Sequence, residues 1–118
     1  MEPTAQQMLQ MSEAEFDALP FGVIRLDAEG KVLAYNAAES ALARRKKEQV
    51  IGRNFFTEVA PCTNTDAFAG RFHALCAAAV ADSQTFDYPF QFPWGVRHVR
   101  IRLLFDKVRN AWVFVTVL

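Results

Sequence analysis

Cysteine is scarce in this chain of 118 residues, and its two cysteines, Cys62 and Cys76, have a spacing that matches no zinc motif. A disulfide-stapled scaffold is excluded, because one possible bridge cannot replace a hydrophobic core, and a chain of this length can bury one. An excess of either charge is also lacking. Thirteen acidic residues balance thirteen basic ones, so charge alone draws the chain to neither nucleic acid nor an anionic membrane. No apolar run approaches the roughly 20 residues that span a bilayer. Residues 1–17 carry no signal-peptide pattern, which predicts a cytoplasmic protein with free thiols. Histidine occurs only twice. His73 falls on the side of its helix opposite Phe68 and Leu75, and His98 lies among Arg97, Arg100 and Arg102. Neither offers Cys62 a base, which argues against a thiol enzyme and for a protein that is not an enzyme. Five glycines and five prolines are too few for a linker, and there are no internal repeats. The expectation is one domain, with residues 1–19 as an N-terminal helical cap and 20–118 as the core.

Phenylalanine is abundant. Eleven Phe stand against two Tyr and two Trp, giving an interior rich in ring surface and poor in polar handles, able to hold a flat apolar group. Met8, Met11, Ala14 and Phe16 form a weak helical stripe, with Ser12 and Glu15 at capping-box spacing. Val23 to Leu26 and Lys31 to Tyr35 read as a hairpin about the turn Asp27-Ala28-Glu29-Gly30. Asn36 can cap a helix from Ala37 to about Ala43, followed by a charged run from Arg44 to Glu48. The clearest helix starts at Asn64 or Thr65 and places Phe68, Phe72, Leu75, Cys76, Ala79 and Val80 on one face, ending at Asp82 and Ser83. Phe86, Tyr88, Phe90 and Phe92 then alternate with polar residues and two prolines, which predicts a strand that lies at an edge or is bulged. Strands around Val99–Leu103 and Trp112–Val117 complete an α+β fold, a five-stranded antiparallel sheet with its helices inserted between the second and third strands.

Three residues carry candidate chemistry. Cys62 follows Pro61 and precedes a helix start, whose dipole favours thiolate; it also reads as a small buried hydrophobe. Tyr35 and Glu39 are four apart and meet if the segment is helical. Glu39 lies among alanines and is either an inward carboxyl with a raised pKa or the far arm of a capping box begun by Asn36. The residues alone leave both pairs of readings open.

The runs Leu19-Pro20-Phe21-Gly22-Val23-Ile24-Arg25-Leu26-Asp27, Tyr35-Asn36-Ala37-Ala38-Glu39 and Gln49-Val50-Ile51-Gly52-Arg53-Asn54-Phe55-Phe56, together with Val59-Ala60-Pro61-Cys62-Thr63, resemble the photoactive yellow protein family of PAS-fold bacterial blue-light photoreceptors. The similarity runs from about residue 17 to Trp112-Val113-Phe114-Val115. The resemblance implies p-coumaric acid (4-hydroxycinnamic acid) held as a thioester on Cys62, its buried phenolate hydrogen-bonded by Tyr35 and by protonated Glu39. It implies that Arg45 covers the ring and that Phe90, Ile24 and Val59 line the pocket. It further implies trans–cis isomerisation in light, proton transfer from Glu39 and opening of the cap toward an unknown downstream signalling protein, from a monomer or weak dimer. Three positions depart from the family pattern. Ala43 replaces a threonine that supports the tyrosine, Trp94 replaces a methionine beside the chromophore, and Phe92 replaces a tyrosine. The alternative is a non-photoactive PAS module for ligand binding or dimerisation; the trio Tyr35, Glu39 and Cys62 separates the two.

Overall fold

A computed structural model describes residues 3–78, 83–106 and 108–118. Two short helices open the chain, α1 (Ala5–Gln10) and α2 (Glu13–Asp17), each held by a capping box at its N-terminus. The Ser12–Glu15 box is the one expected from the sequence; the Thr4–Gln7 box was not foreseen. The hairpin follows as β1 (Gly22–Leu26) and β2 (Val32–Tyr35). Gly30 takes φ 92° in its turn, and Asp27 Oδ1 accepts from the Glu29 and Lys31 amides. Helices α3 (Ala37–Ala43) and α4 (Lys47–Val50) come next.

A π-helical turn (Phe55–Val59) and a 3-10 turn (Pro61–Thr63) lead to a second π-helical turn (Asp66–Gly70) that runs directly into α5 (Arg71–Ala77). The single long helix expected here is therefore shorter and differently wound. Its first turn is closed by a bond from Gly70 N–H to Thr65 O, and it ends at Ala78, whose backbone is extended. Ala79, Val80 and Asp82 lie outside the described residues, and Ser83 belongs to the next strand. Among the described residues of the expected stripe, Phe68, Phe72 and Leu75 are buried and Cys76 is half-buried.

Strands β3 (Ser83–Phe92), β4 (Gly95–Phe105) and β5 (Ala111–Val117) complete one antiparallel sheet in the order β2-β1-β5-β4-β3. Of the two outcomes the prolines allow, the edge is the one found: β3, with Pro89 inside it, is an edge strand. Strand alternation divides the core in two. Ile24, Val113 and Val115 face the helical layer with Phe55, Phe56, Phe68 and Phe72. Val23, Trp112 and Phe114 face the other way and are covered by Met8, Phe16 and Phe21. No described helix is long and apolar enough to cross a membrane.

Candidate functional site

The site is built where α3 meets the end of β2. Tyr35 closes β2 in register with Ile24, and Asn36 caps α3, accepting from the Glu39 amide at 3.0 Å. This is only half of a capping box. The Asn36 amide donates to Val23 O at 3.1 Å, so the Glu39 carboxyl is not used at the cap and turns inward. Glu39 is 1% exposed, and the Tyr35 hydroxyl donates to its Oε2 across a long 3.4 Å. Its Oε1 is buried without a hydrogen-bond partner. Burial raises the Glu39 carboxyl to about 8, against a weaker opposing effect of the Tyr35 hydroxyl. Burial, reinforced by Glu39, also pushes the Tyr35 phenol upward, with Arg45 acting against them. Burial thus favours the protonated form of both side chains, which share one long hydrogen bond donated by Tyr35.

Both border a cavity of about 240 Å³ walled by Ala43, Phe55, Val59, Phe90 and Phe92, with Arg45 on its rim. The position of Arg45 follows from the way α3 ends. Arg44 is in the left-handed region at φ 56°, the Arg45 amide returns to Ser40 O at 3.1 Å, and the Ser40 hydroxyl donates to Arg45 O. Ala43 brings a methyl group and no hydroxyl to the wall beside Tyr35.

Cys62 sits in the 3-10 turn, next to the wall residues Ala60 and Pro61. Its carbonyl accepts from the Tyr88 hydroxyl at 2.6 Å, and its half-buried sulfur lies 4.0 Å from Gln91 O. Burial pushes the thiol pKa up, against weaker lowering by its backbone hydrogen bonds, that to Gln91 first, which runs opposite to the expected dipole-favoured thiolate. Thr65 is the N-cap of the following turn, but its hydroxyl bonds Tyr88 at 2.9 Å and not the helix backbone.

The structure therefore brings Tyr35, Glu39, Ala43, Arg45, Val59 and Phe90 to one cavity; Cys62 is not in its wall but follows the wall residue Pro61, with its sulfur 4.0 Å from the carbonyl of another wall residue, Gln91. Ile24 and Trp94 stand outside that wall. Ile24 is fully buried in the core behind Tyr35. Trp94, at the β3–β4 turn, stacks on Phe92 at 5.2 Å, donates from Nε1 to Leu42 O at 2.7 Å and carries the Arg44 guanidinium 5.1 Å above its ring. Sequence reasoning did not assign Phe55, Ala60 and Pro61 to the site. Phe55 is displayed by a π-helical turn whose only sequence signal is Asn54, which accepts from the Phe56 and Thr57 amides. His73 is exposed, as expected, and no cluster of metal-ligating side chains exists among the described residues.

A five-stranded antiparallel sheet with short helices enclosing a small cavity on one face defines a PAS domain, and the family model for the PAS fold matches residues 16–107. Within that fold the chain belongs to the photoactive yellow protein family. It is 39% identical over 109 residues to the photoactive yellow protein of Rhodothalassium salexigens, covering 92% of this chain and 86% of that one. The identity and coverage are the same for the photoactive yellow protein of Halochromatium salexigens. A crystal structure of the photoactive yellow protein domain from the sensor histidine kinase Ppr of Rhodospirillum centenum is 47% identical, with a TM-score of 0.83, covering 89% of this chain and 92% of that domain.

Proposed function

We propose that this chain is a blue-light photoreceptor whose chromophore is p-coumaric acid bound as a thioester to Cys62. The observation that carries this reading is the buried, hydrogen-bonded pair of Tyr35 and Glu39, whose protonated forms burial favours, bordering an aromatic-walled cavity whose wall residue Pro61 immediately precedes Cys62. A buried phenolate supplies the strong acceptor that this pair lacks. Two donors aimed at its oxygen offset part of the cost of burying the anion. When bound, the chromophore supplies light absorption and a double bond that isomerises between trans and cis.

The remaining work falls to the chain's own side chains. Phe90, Phe92 and Phe55 present apolar surface to a flat ring, and Arg45 shields the cavity rim from water. Glu39 holds a proton at its carboxyl in the dark and is the group that releases it to the phenolate after illumination. A carboxylate left at that position is buried and unpaired, which is costly and drives rearrangement. The rearrangement has a route outward. Asn36, whose Oδ1 accepts from the Glu39 and Val23 amides, donates through Nδ2 to Phe16 O at 3.2 Å and Phe21 O at 3.0 Å; Asp17 Oδ1 accepts from the Ala37 amide at 3.0 Å. Movement of α3 is thereby felt at the end of α2, and opening of the cap presents a changed surface to a downstream signalling protein.

The test is a spectrum. The purified chain is incubated with an activated p-coumaroyl anhydride; the Cys62 sulfur bonds the acyl carbon, the second acid leaves and the thiol proton goes to solvent. A blue-absorbing band that bleaches in light and is absent in Cys62→Ala is the expected result. No such band, or one retained in Cys62→Ala, overturns the reading.

A further inference from the structure

Gly22 opens β1 on the face that meets α3, in register with Val115. Its φ lies outside the left-handed region, so backbone conformation does not demand glycine there. Space does. A Cβ built on Gly22 would collide with Glu39 Oε1, the oxygen that has no hydrogen-bond partner, and would lie 3.2 Å from Glu39 Cδ and 3.3 Å from Glu39 Cβ. Turning the carboxyl alone does not relieve contacts to the two carbons, so a methyl group there forces α3 away from the sheet or drives the carboxyl toward the cavity.

We propose that Gly22 is the positioning residue for the buried acid: the volume of its missing side chain is where the Glu39 carboxyl resides, and that vacancy holds the acid beside Tyr35 and away from water. This rests on the role proposed above for Glu39. It adds a second device to that role, since the Asn36 cap fixes the backbone of Glu39 and Gly22 fixes its side chain.

The experiment follows the Glu39 proton in the full chain without chromophore. The infrared carbonyl band of the protonated acid, identified by its loss in Glu39→Gln, is titrated in the unmodified chain and in Gly22→Ala. The expected result is a midpoint lower by about one pH unit or more in Gly22→Ala, a tenfold weaker hold on the proton. A merely structural glycine leaves the midpoint unmoved, and that result overturns the proposal. Urea denaturation of Gly22→Ala, Glu39→Ala and the double variant supplies the second arm. Gly22→Ala is expected to destabilise the parent chain and to cost little when Glu39 is already alanine; equal costs in both backgrounds overturn the proposal. If Gly22→Ala does not fold, recovery of folding in the double variant supports it, and continued failure overturns it. Both arms are read without chromophore, so a missing blue band would remove the photoreceptor reading and leave the relation of Gly22 to Glu39 decided separately.

Discussion

Glu39 is where residue-scale physics is most exposed. A carboxyl raised from 4.5 to about 8 in the folded chain binds its proton more tightly there than when unfolded. Below about pH 4.5 both states are protonated and burial carries no charge penalty. As pH rises toward 8 the unfolded chain releases the proton first, so stability falls, and it levels off once the folded carboxyl has ionised. The chromophore-free chain should lose on the order of a few kcal/mol between pH ~5 and pH ~9, measured as a falling urea midpoint. Glu39→Gln should flatten much of that slope; an equally steep slope in the variant would mean that other groups govern it. Part of this was legible in advance. The four-residue spacing brought Tyr35 and Glu39 together on paper, but it equally suited a capping box. The choice depends on where the Asn36 amide goes, and its acceptor, Val23 O, comes from a strand thirteen residues upstream. The direction of the Cys62 shift was illegible for a similar reason, since it is set first by burial, which depends on elements distant in sequence.

Among the elements, the β3–β4 turn is tied to α3 by one side chain. Trp94 supplies the orphan carbonyl of Leu42 with a donor at the helix C-terminus, where the last carbonyls lack intrahelical partners. Trp94→Phe keeps ring area over Phe92 and removes that donor, so the chain should lose about 1 kcal/mol in urea denaturation. A loss indistinguishable from zero would show that water replaces the indole at no cost. In the reconstituted protein the same variant should alter dark recovery after a flash, because the helix end it restrains also carries Ala43 and Arg45. The cap is held more loosely. Its helices have six and five residues, it encloses a cavity of about 300 Å³ against Trp112 and Arg25, and its ion pair to α4, Glu13 with Lys47 at 3.2 Å, is exposed. Amides of α1 and α2 should therefore exchange with deuterium well before those of β5, and equal protection would contradict a cap poised to open. Helix boundaries were partly readable: the Ser12–Glu15 box and the Asn36 cap were visible as residue patterns. The π-helical turns were not, because Phe55–Val59 and Asp66–Gly70 are wound to bring aromatic rings against one another, as with Phe55 and Phe68 at 6.0 Å.

For the whole molecule, alternation and turn residues were enough to count five strands and to make β3 an edge or bulged one. The order in which they lie together was not accessible to local reasoning, since β1 is joined on one side to its hairpin partner and on the other to the last strand of the chain. That arrangement has a consequence for biosynthesis. Gly22 pairs with Val115, so the central seam of the sheet joins segments translated at opposite ends of the domain. Closing so long a loop costs entropy before any contact repays it, which slows folding. On the ribosome, Tyr35, Glu39 and Cys62 all emerge while β5 is still unmade, and the sheet against which their cavity forms cannot close until the final strand has cleared the exit tunnel. The thiol is consequently open to solvent until β5 has joined the sheet, and the site takes shape only once that strand is in place.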